Sequence, residues 1–364
     1  MGSYMTTPVT PARFPGAWHA GIAGAIVSLW ACLLCGAPAQ AETKLPPVEE
    51  VLRDLKFTAE DLKRAKEGKF IEQSFGEGSE RELSLALALL VKAKPEEIAK
   101  LYRETQDLES VKAIKVRVMI PGAGTLADFA AAALQPNPDK EAKRYLDAEP
   151  GSTLNLDEKE IAAFQALKSA SKGKAVPVKE VEQLVRQGLL ARYQAYRAKG
   201  LAGITPYQRG RSAQLSAGDE LRLATKESVG LAKYAPAFHD VLMNYRAARD
   251  KVKKDQFEES FHWFNVELFE RPTYVLTHRM AMFVDYAYVN IERQYYASHD
   301  YNSMQQIVAA LPTKDGTLLV YVARVSTDQV AGFTSAAAHP VARTVMAPYI
   351  KDMFEAIRSR VEKK

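Results

Sequence analysis

Alternation of apolar and polar positions dominates the last third of the chain and predicts a series of β-strands. From Phe257 to Phe269 aromatic residues alternate roughly with acidic and amide residues, a pattern typical of a half-buried strand. Further strands are predicted at residues 274–284, 286–298, 305–310 and 317–325. The short connections between them leave no room for helical crossovers, so neighbouring strands should be antiparallel.

Two earlier segments alternate as well. Leucines alternate with small residues between Glu82 and Val91, which favours a strand, although alanine and leucine also suit a helix. Residues 111–120 predict another strand, which stops at Pro121. Between these segments, Pro95 followed by two glutamates predicts the first turn of a helix.

Helical spacing fills the middle and the end of the chain. Apolar residues recur every three or four positions from Val341 to Val361, which predicts a long amphipathic helix facing the sheet. Such a stripe usually serves simple core packing, and this interpretation stands beside a ligand-binding one. Within the middle of the chain, helices are predicted at 126–134, 156–167, 178–199, 219–231 and 237–252, with a loop at 201–214.

We interpret residues 123–252 as a helical insertion that covers the mouth of a cavity between the sheet and the closing helix. Inserted helices serve different purposes in different proteins. An independent helical domain that binds another protein is therefore the competing interpretation.

The first 41 residues predict a secretory signal. Arg13 is the only charged residue before Glu42, and a small and apolar run at 21–34 leads to Ala39-Gln40-Ala41. That run is shorter than the roughly 20 residues that span a bilayer, although a retained anchor stays an alternative. Both cysteines, Cys32 and Cys35, lie inside the signal, so the mature chain should have no disulfide.

Export without disulfides indicates a periplasmic protein that is stable through its core alone. The formal charge is +5, and cations and anions are interspersed throughout, which excludes the concentrated basic footprint of a nucleic-acid-binding protein.

Motifs for chemistry are sparse. The histidines after the signal are scattered, and no two share a helix face at ligand spacing. A metal site across strands from His262, His278 and His299 is an unfavoured alternative. Ser298, His299 and Asp300 are consecutive, so on a strand they cannot converge as a triad. The sequence therefore predicts no catalytic residue, no metal site and no cofactor, and it favours a protein that is not an enzyme without deciding the question.

The element order carries a resemblance. A strand, a helix opening on Pro95-Glu96-Glu97, further antiparallel strands and a long helix behind Gly332-Phe333 resemble the helix-grip fold of the START-like, or SRPBCC, superfamily. The segments 293–299 and 321–328 are also similar to exported bacterial proteins of unassigned function. The resemblance implies an α+β fold, in which about seven curved antiparallel strands surround the C-terminal helix and enclose a cavity for a hydrophobic molecule.

This resemblance divides the chain into four parts. They are a signal peptide (1–41), an N-terminal helical segment (42–79), a helix-grip domain (80–122 and 253–364) and the helical insertion (123–252).

Tyrosines and arginines are the candidate ligand-binding residues. Tyrosine joins an apolar ring to one hydroxyl, and an inward arginine suits a carboxylate or phosphate. The predicted set is Trp263, Tyr274, Arg279, Tyr288, Arg293, Tyr295, Tyr321, Met346, Met353 and Phe354. Cross-strand packing with solvated arginines is the alternative interpretation of most of these residues.

We therefore expect a periplasmic carrier or binding protein for a lipid-like small molecule held between the sheet and the C-terminal helix. One alternative is an enzyme with His278 or His299 in the same cavity beside an acid or an arginine. The other is a protein-interaction adaptor with an exposed apolar patch within 123–250. Transient contact with a membrane or a membrane transporter fits the carrier, whereas the sequence does not determine the oligomeric state.

Overall fold

Eight antiparallel strands form one sheet in the computed structural model. The structure describes residues 44–73, 75–104, 113–253, 255–268, 270–332 and 335–362, and within the last range it describes the side chains of 339–340, 350–352 and 354–362. The strands are β1 (Ile71–Gln73), β2 (Glu82–Val91), β3 (Ile114–Met119), β6 (Phe257–Leu268), β7 (Arg271–Val284), β8 (Ala287–Ala297), β9 (Ser303–Thr313) and β10 (Gly316–Ser326). Their order across the sheet is β1-β2-β10-β9-β8-β7-β6-β3. The predicted α+β class with antiparallel strands is confirmed, with β1 as an additional edge strand.

Helices precede, interrupt and follow these strands. They are α1 (Val48–Asp54), α2 (Ala59–Lys66), α3 (Pro95–Glu104), α4 (Pro138–Leu146), α5 (Glu158–Ala170), α6 (Val178–Lys199), α7 (Ala217–Lys226), α8 (Val229–Tyr234), α9 (Pro236–Met243), α10 (Tyr245–Arg249) and α11 (Ser335–Glu362). A separate two-stranded hairpin, β4 (Tyr207–Gln208) with β5 (Gln214–Leu215), lies in the predicted loop between α6 and α7. Residues 42–364 form one compact unit.

The two sheet faces are covered by different helices. On the α11 face, Leu319 and Tyr321 pack with Phe354 of α11 and with Ile98 of α3. On the opposite side, which we call the insertion face, Val320 packs with residues of α1. Because successive strand residues point to opposite faces, β10 is apolar on both sides and needs both covers.

Helices of the insertion pack over the part of the insertion face that β6, β7 and β8 form. Trp263, Tyr274 and Tyr295 of the sheet join one apolar core with Phe129 and Tyr196 of the insertion. The insertion therefore lies against the face opposite α11, and not over a mouth between the sheet and α11. The physical reason is that the strands that follow the insertion are apolar on this face and must be covered by it.

The helix predicted at 126–134 is wrong. Only Leu126–Phe129 forms a single 3-10 turn, after which the chain is irregular. The Arg186 guanidinium donates to the Ala132 carbonyl at 3.1 Å, and the Tyr274 hydroxyl donates to the Ala133 carbonyl at 2.8 Å. Both carbonyls belong to the last turn of the predicted helix, where no intrahelical donor is available. These tertiary contacts hold the segment in an irregular path in spite of its local helical preference.

Helix α4 is missing from the prediction. Its signals are Pro138 at the first helical position, Asp139 in the first turn, and the buried side chains of Ala142, Tyr145 and Leu146 at helical spacing. The segment is short and highly charged, which weakens its apolar period.

The predicted signal peptide at 1–41, with Cys32 and Cys35, lies outside the described residues. Among the helices that the structure does describe, none combines the length and the apolar character needed to cross a bilayer.

Candidate functional site

An apolar pocket of about 280 Å³ lies on the insertion face, between α1, α8 and strands β7 to β10. Its apolar walls are Leu45, Val51, Leu55, Phe75, Val229, Leu231, Tyr234, Ala235, Val284, Ala287, Val289, Ile307, Ala309, Leu311, Val320 and Val322. Polar side chains and glycines complete the lining: Asp54, Lys56, Gly76, Glu227, Ser228, Gly230 and Arg324.

Strand register builds the floor of this pocket. Val289, Ala309 and Val320 are direct neighbours across β8, β9 and β10, so their side chains point the same way. Ala287 and Ala309 are small, and they leave space that larger side chains would have filled. The helices α1 and α8 cover this floor and form the opposite wall, which we call the roof of the pocket.

Hydrogen bonds join the C-terminal ends of α1 and α8. The carboxylate of Asp54 at the end of α1 accepts hydrogen bonds from the Lys233 ammonium and the Tyr234 hydroxyl of α8. These hydrogen bonds, first that from Lys233 and then that from Tyr234, lower the pKa of Asp54. All three groups lie at the protein surface, so solvent screens their interaction.

The most exposed lining residues mark the mouth of the pocket. Val229 of α8 is 69% exposed, although it lines the pocket, and Lys56, another lining residue, is exposed as well. An apolar side chain at the rim of an apolar pocket offers a ligand a continuous apolar path inward.

A buried cation stands at the inner end of the pocket. Arg324 is 4% exposed, and its Nη1 donates to a Glu82 carboxylate oxygen at 2.9 Å and to the Gly76 carbonyl at 3.1 Å. Its Nη2 donates to the Glu227 carbonyl at 3.1 Å, whereas its buried Nε has no hydrogen-bond partner. Because an unsatisfied buried donor is costly, a ligand with one acceptor atom would stabilise this end.

The lining holds few titratable side chains. Its titratable side chains are Asp54, Lys56, Glu227, Tyr234 and Arg324, and no histidine or cysteine is among the described lining residues. Asp54 is engaged by α8 and Arg324 by Glu82, so neither is poised as a free acid or base.

The predicted ligand-binding residues divide between the two sheet faces. On the insertion face, Trp263 and Tyr274 each donate a hydrogen bond to a backbone carbonyl at 2.8 Å, from the indole nitrogen to Asp128 and from the hydroxyl to Ala133. Tyr295 stacks on Tyr196 with ring centroids 3.9 Å apart. These three side chains are in contact with the insertion and do not line the apolar pocket.

Arg293 lies fully buried on the insertion face. Its guanidinium donates to the Leu242 carbonyl at 2.8 Å, to the Thr225 hydroxyl at 3.0 Å and to the Gln305 side-chain oxygen at 2.8 Å. Burial lowers the pKa of Arg293, since a charge in an apolar interior loses its hydration. Acceptors within the protein therefore occupy the N–H groups with which Arg293 was expected to bind an anionic ligand.

On the α11 face, the predicted aromatic residues pack against one another. Tyr321 meets Phe354 edge to face with ring centroids 5.5 Å apart, and Tyr288 lies 5.2 Å from the Phe283 ring. Burial raises the pKa of Tyr288 to about 12. Arg279 lies on the same face, whereas the side chains of Met346 and Met353 lie outside the described residues.

The histidines serve separate contacts. His278 on the insertion face contacts the Tyr196 hydroxyl through Nδ1 at 3.1 Å and a Glu259 carboxylate oxygen through Nε2 at 3.3 Å. Burial lowers the pKa of His278 to about 4, although the Glu259 carboxylate opposes this shift. The rings of Tyr245 and Phe261 pack against the imidazole, with centroids at 4.8 and 4.2 Å.

His299 and Asp300 contact each other in the turn after β8. His299 Nδ1 lies 2.6 Å from a carboxylate oxygen of Asp300, whose φ of 70° marks the tight reversal after β8. Within the described ranges, no cluster of three metal-ligating side chains has the geometry to hold an ion.

The sequence pattern did not predict the pocket on the insertion face. Its wall combines α1 with strands that follow far later in the chain, and no local pattern joins them. The available signals were the amphipathic character of Val48–Asp54 and the alanines at 287 and 309 within otherwise bulky strands.

No protein-family model, curated protein or solved structure matches this chain. The candidate function therefore rests on the site alone.

Proposed function

We propose that this protein binds or carries a hydrophobic, lipid-like small molecule in the apolar pocket between α1, α8 and the sheet. The observation that carries the proposal is an apolar pocket with a buried, unpartnered donor, Arg324 Nε, at its inner end. Such a combination of apolar walls with a few polar groups is typical of small-molecule sites.

The pocket size limits the ligand. Its volume of about 280 Å³ is near the lower end of the roughly 300–1,000 Å³ typical of small-molecule sites. A single acyl chain or a small ring system with one hydroxyl or carbonyl group fits this volume better than a two-chain phospholipid. The Glu82 carboxylate beside Arg324 already balances the charge of the guanidinium, so a neutral acceptor suits the site better than an anion.

The element order supports the helix-grip resemblance. A strand and α3 precede the insertion, five consecutive antiparallel strands follow it, and α11 closes the chain against the sheet. A ligand between the sheet and α11 stays a separate prediction, because the side chains at 341–349 lie outside the described residues. The proposed pocket is on the other face and does not depend on that prediction.

Export to the periplasm belongs to the same proposal. A carrier in that compartment would collect its ligand from, or deliver it to, a membrane or a membrane transporter. The exposed Val229 and Lys56 at the mouth provide an apolar and a cationic group for such transient contact.

The adaptor alternative has less support. Among the described residues only Met119 and Val229 are large, apolar and strongly exposed, and Val229 belongs to the pocket rim. Two separated side chains do not make the contiguous patch that a docking surface needs.

The proposal can be tested by titrating the purified protein with N-phenylnaphthylamine, whose fluorescence rises in apolar sites. We expect saturable binding and displacement by decanol, with decane displacing about fivefold less well because it cannot accept a hydrogen bond from Arg324. The phenyl ring of Ala309→Phe should occupy the space inside the pocket and weaken probe binding at least tenfold.

The matched control is Ala232→Phe, which places the same ring on the exposed side of α8 away from the pocket. It should bind the probe like the wild-type protein. Equal binding by folded Ala309→Phe and wild-type protein would refute the pocket, as would the absence of any saturable binding by the wild-type protein.

A further inference from the structure

We infer that a second site, anchored by Arg279 on the α11 face, binds a small oxyanion such as a carboxylate or phosphate group. This site is separate from the apolar pocket, since the two lie on opposite faces of the sheet. It rests on a polar pocket of about 210 Å³ lined by Arg103, Arg117, Met119, Glu258, Glu259, Ser260, His262, Arg279 and Ala281.

Arg279 is held in a binding orientation. Its Nε donates to the Asn290 side-chain oxygen at 3.0 Å, and its guanidinium carbon lies 5.4 Å from the centroid of the Tyr102 ring. These contacts fix the plane of the guanidinium through its inner edge and its face. By distance and angle, no described residue accepts a hydrogen bond from the two terminal nitrogens, which form the fork that binds oxyanions. The guanidinium acts on the nearby Tyr288 hydroxyl and partly opposes the rise in its pKa.

The charge of Arg279 is not locally paired. No carboxylate of a described residue lies within 4 Å of its guanidinium, although Glu292 is its direct cross-strand neighbour on β8. The two acids of the pocket have other partners. Glu258 accepts from Arg103 at 2.6 and 2.9 Å, and Glu259 accepts from Arg249 at 3.2 Å and from the Tyr245 hydroxyl at 2.8 Å.

A buried polar atom supplies the second, independent observation. His262 is 5% exposed, and its Nδ1 is buried with no hydrogen-bond partner, while its Nε2 lies 2.9 Å from the Ser260 hydroxyl. When the hydroxyl donates to Nε2, the ring carries its proton on Nδ1 and becomes a neutral donor for an anion.

The surroundings keep this histidine neutral and mark the site as cationic. Burial, together with the charges of Arg117 and Arg279 and a smaller effect from His278, lowers the pKa of His262 to about 3. The same positive field that disfavours an imidazolium favours an anion.

The side-chain chemistry defines the ligand class. A forked guanidinium, a second nearby guanidinium and a neutral imidazole donor suit a carboxylate or phosphate group. The volume of about 210 Å³ limits the ligand to an inorganic ion or a small organic acid.

The test is isothermal titration calorimetry of the full-length protein with sodium phosphate and, separately, sodium succinate, at constant ionic strength set with sodium chloride. We expect saturable binding of at least one of them, and the one that binds identifies the group as phosphate or carboxylate. Arg279→Gln should weaken that binding at least tenfold, because it removes a charge-assisted fork. Arg279→Lys, which keeps the charge but loses the fork, should also bind more weakly than the wild-type protein.

Arg211→Gln, in the exposed turn of the β4–β5 hairpin, is the matched control and should bind like the wild-type protein. Absence of binding by both anions, or equal affinity of Arg279→Gln and wild-type protein, would overturn the inference. If circular dichroism shows that Arg279→Gln does not fold, Arg279→Lys decides, and wild-type affinity in that variant overturns the inference. Ala309→Phe should bind the anion normally, which separates failure of this site from failure of the apolar pocket.

Discussion

At the scale of single residues, Glu220 shows how tertiary burial changes the chemistry of a side chain. It lies on α7 and accepts hydrogen bonds from the Asn302 amide at 3.1 Å and the Ser303 hydroxyl at 3.0 Å, in the turn between β8 and β9. Burial raises the pKa of Glu220 to about 7, and these two hydrogen bonds only partly oppose the shift. The folded protein therefore binds a proton that the unfolded chain releases near its ordinary pKa of 4.5.

Glu220→Gln should stabilise the protein at neutral pH. Because the folded-state pKa is the higher one, Glu220 lowers wild-type stability progressively as pH rises from 4.5 to about 7. The advantage of the variant should grow over the same interval and reach at most ~3 kcal/mol above it. Urea unfolding at several pH values measures this difference.

The control for this prediction is Asp219→Asn on the same helix, where the carboxylate side chain is 78% exposed. Its stability relative to the wild-type protein should change little with pH. A pH-independent difference between Glu220→Gln and wild-type protein would contradict the burial argument.

At the scale of elements, one carboxylate joins α5 to α6. Glu160 accepts the Asp157 backbone amide at 2.9 Å in a capping box, and it accepts Arg192 Nε of α6 at 3.0 Å. Gly188 permits this approach, since a Cβ there would lie 2.8 Å from the Glu160 carboxylate. Arg192 is 5% exposed, so its charge depends on Glu160 for compensation.

Glu160→Gln should destabilise the protein by roughly 3 kcal/mol, because it keeps a capping acceptor but leaves the buried Arg192 without a counter-charge. The free energy of unfolding from urea titration is the measurement. Glu158→Gln, in the exposed first turn of the same helix, should change stability by about 0.5 kcal/mol or less. Similar effects of both substitutions would show that the ion pair contributes little.

At the scale of the whole molecule, the helical insertion and the sheet share one core. Trp263 and Leu276 of the sheet are fully buried against insertion residues, which include Leu242 of α9. Neither part can bury its apolar face without the other, so they should unfold together.

Leu242→Ala in the insertion and Leu319→Ala on the α11 face should each lower the free energy of unfolding by about 2–5 kcal/mol. Both substitutions should shift the same unfolding transition to lower temperature. Differential scanning calorimetry should show one transition in the wild-type protein and in both variants. Two transitions, of which Leu242→Ala shifts only one, would establish the insertion as an independent domain.

Local periodicity predicted the elements well where it was undisturbed. The alternation between Glu82 and Val91 forms β2, although its composition also allowed a helix, because β1 and β10 pair with it on both sides. The helix predicted at 126–134 is reduced to a 3-10 turn at Leu126–Phe129, and Arg186 and Tyr274 from other elements bind the carbonyls of the irregular chain that follows. Propensity describes a segment alone, whereas these partners are distant in sequence.

The candidate site was harder to predict than the elements. Tyr288 and Tyr295 were expected in one cavity, yet they face opposite sides of the sheet, where Tyr288 packs with Phe283 and Tyr295 with Tyr196. Alternation shows which residues share a face, but it does not show which helix covers that face.

The sequence by itself determined the strands, the closing helix and the scarcity of catalytic motifs, because periodicity and motif spacing are local properties of the chain. Only the tertiary structure decided that α1 and α8 roof a pocket over Ala309, and that Arg279 keeps its terminal nitrogens unengaged by described residues. Both features arise from contacts between segments far apart in sequence. Their geometry depends on packing of the whole chain, which no local pattern encodes.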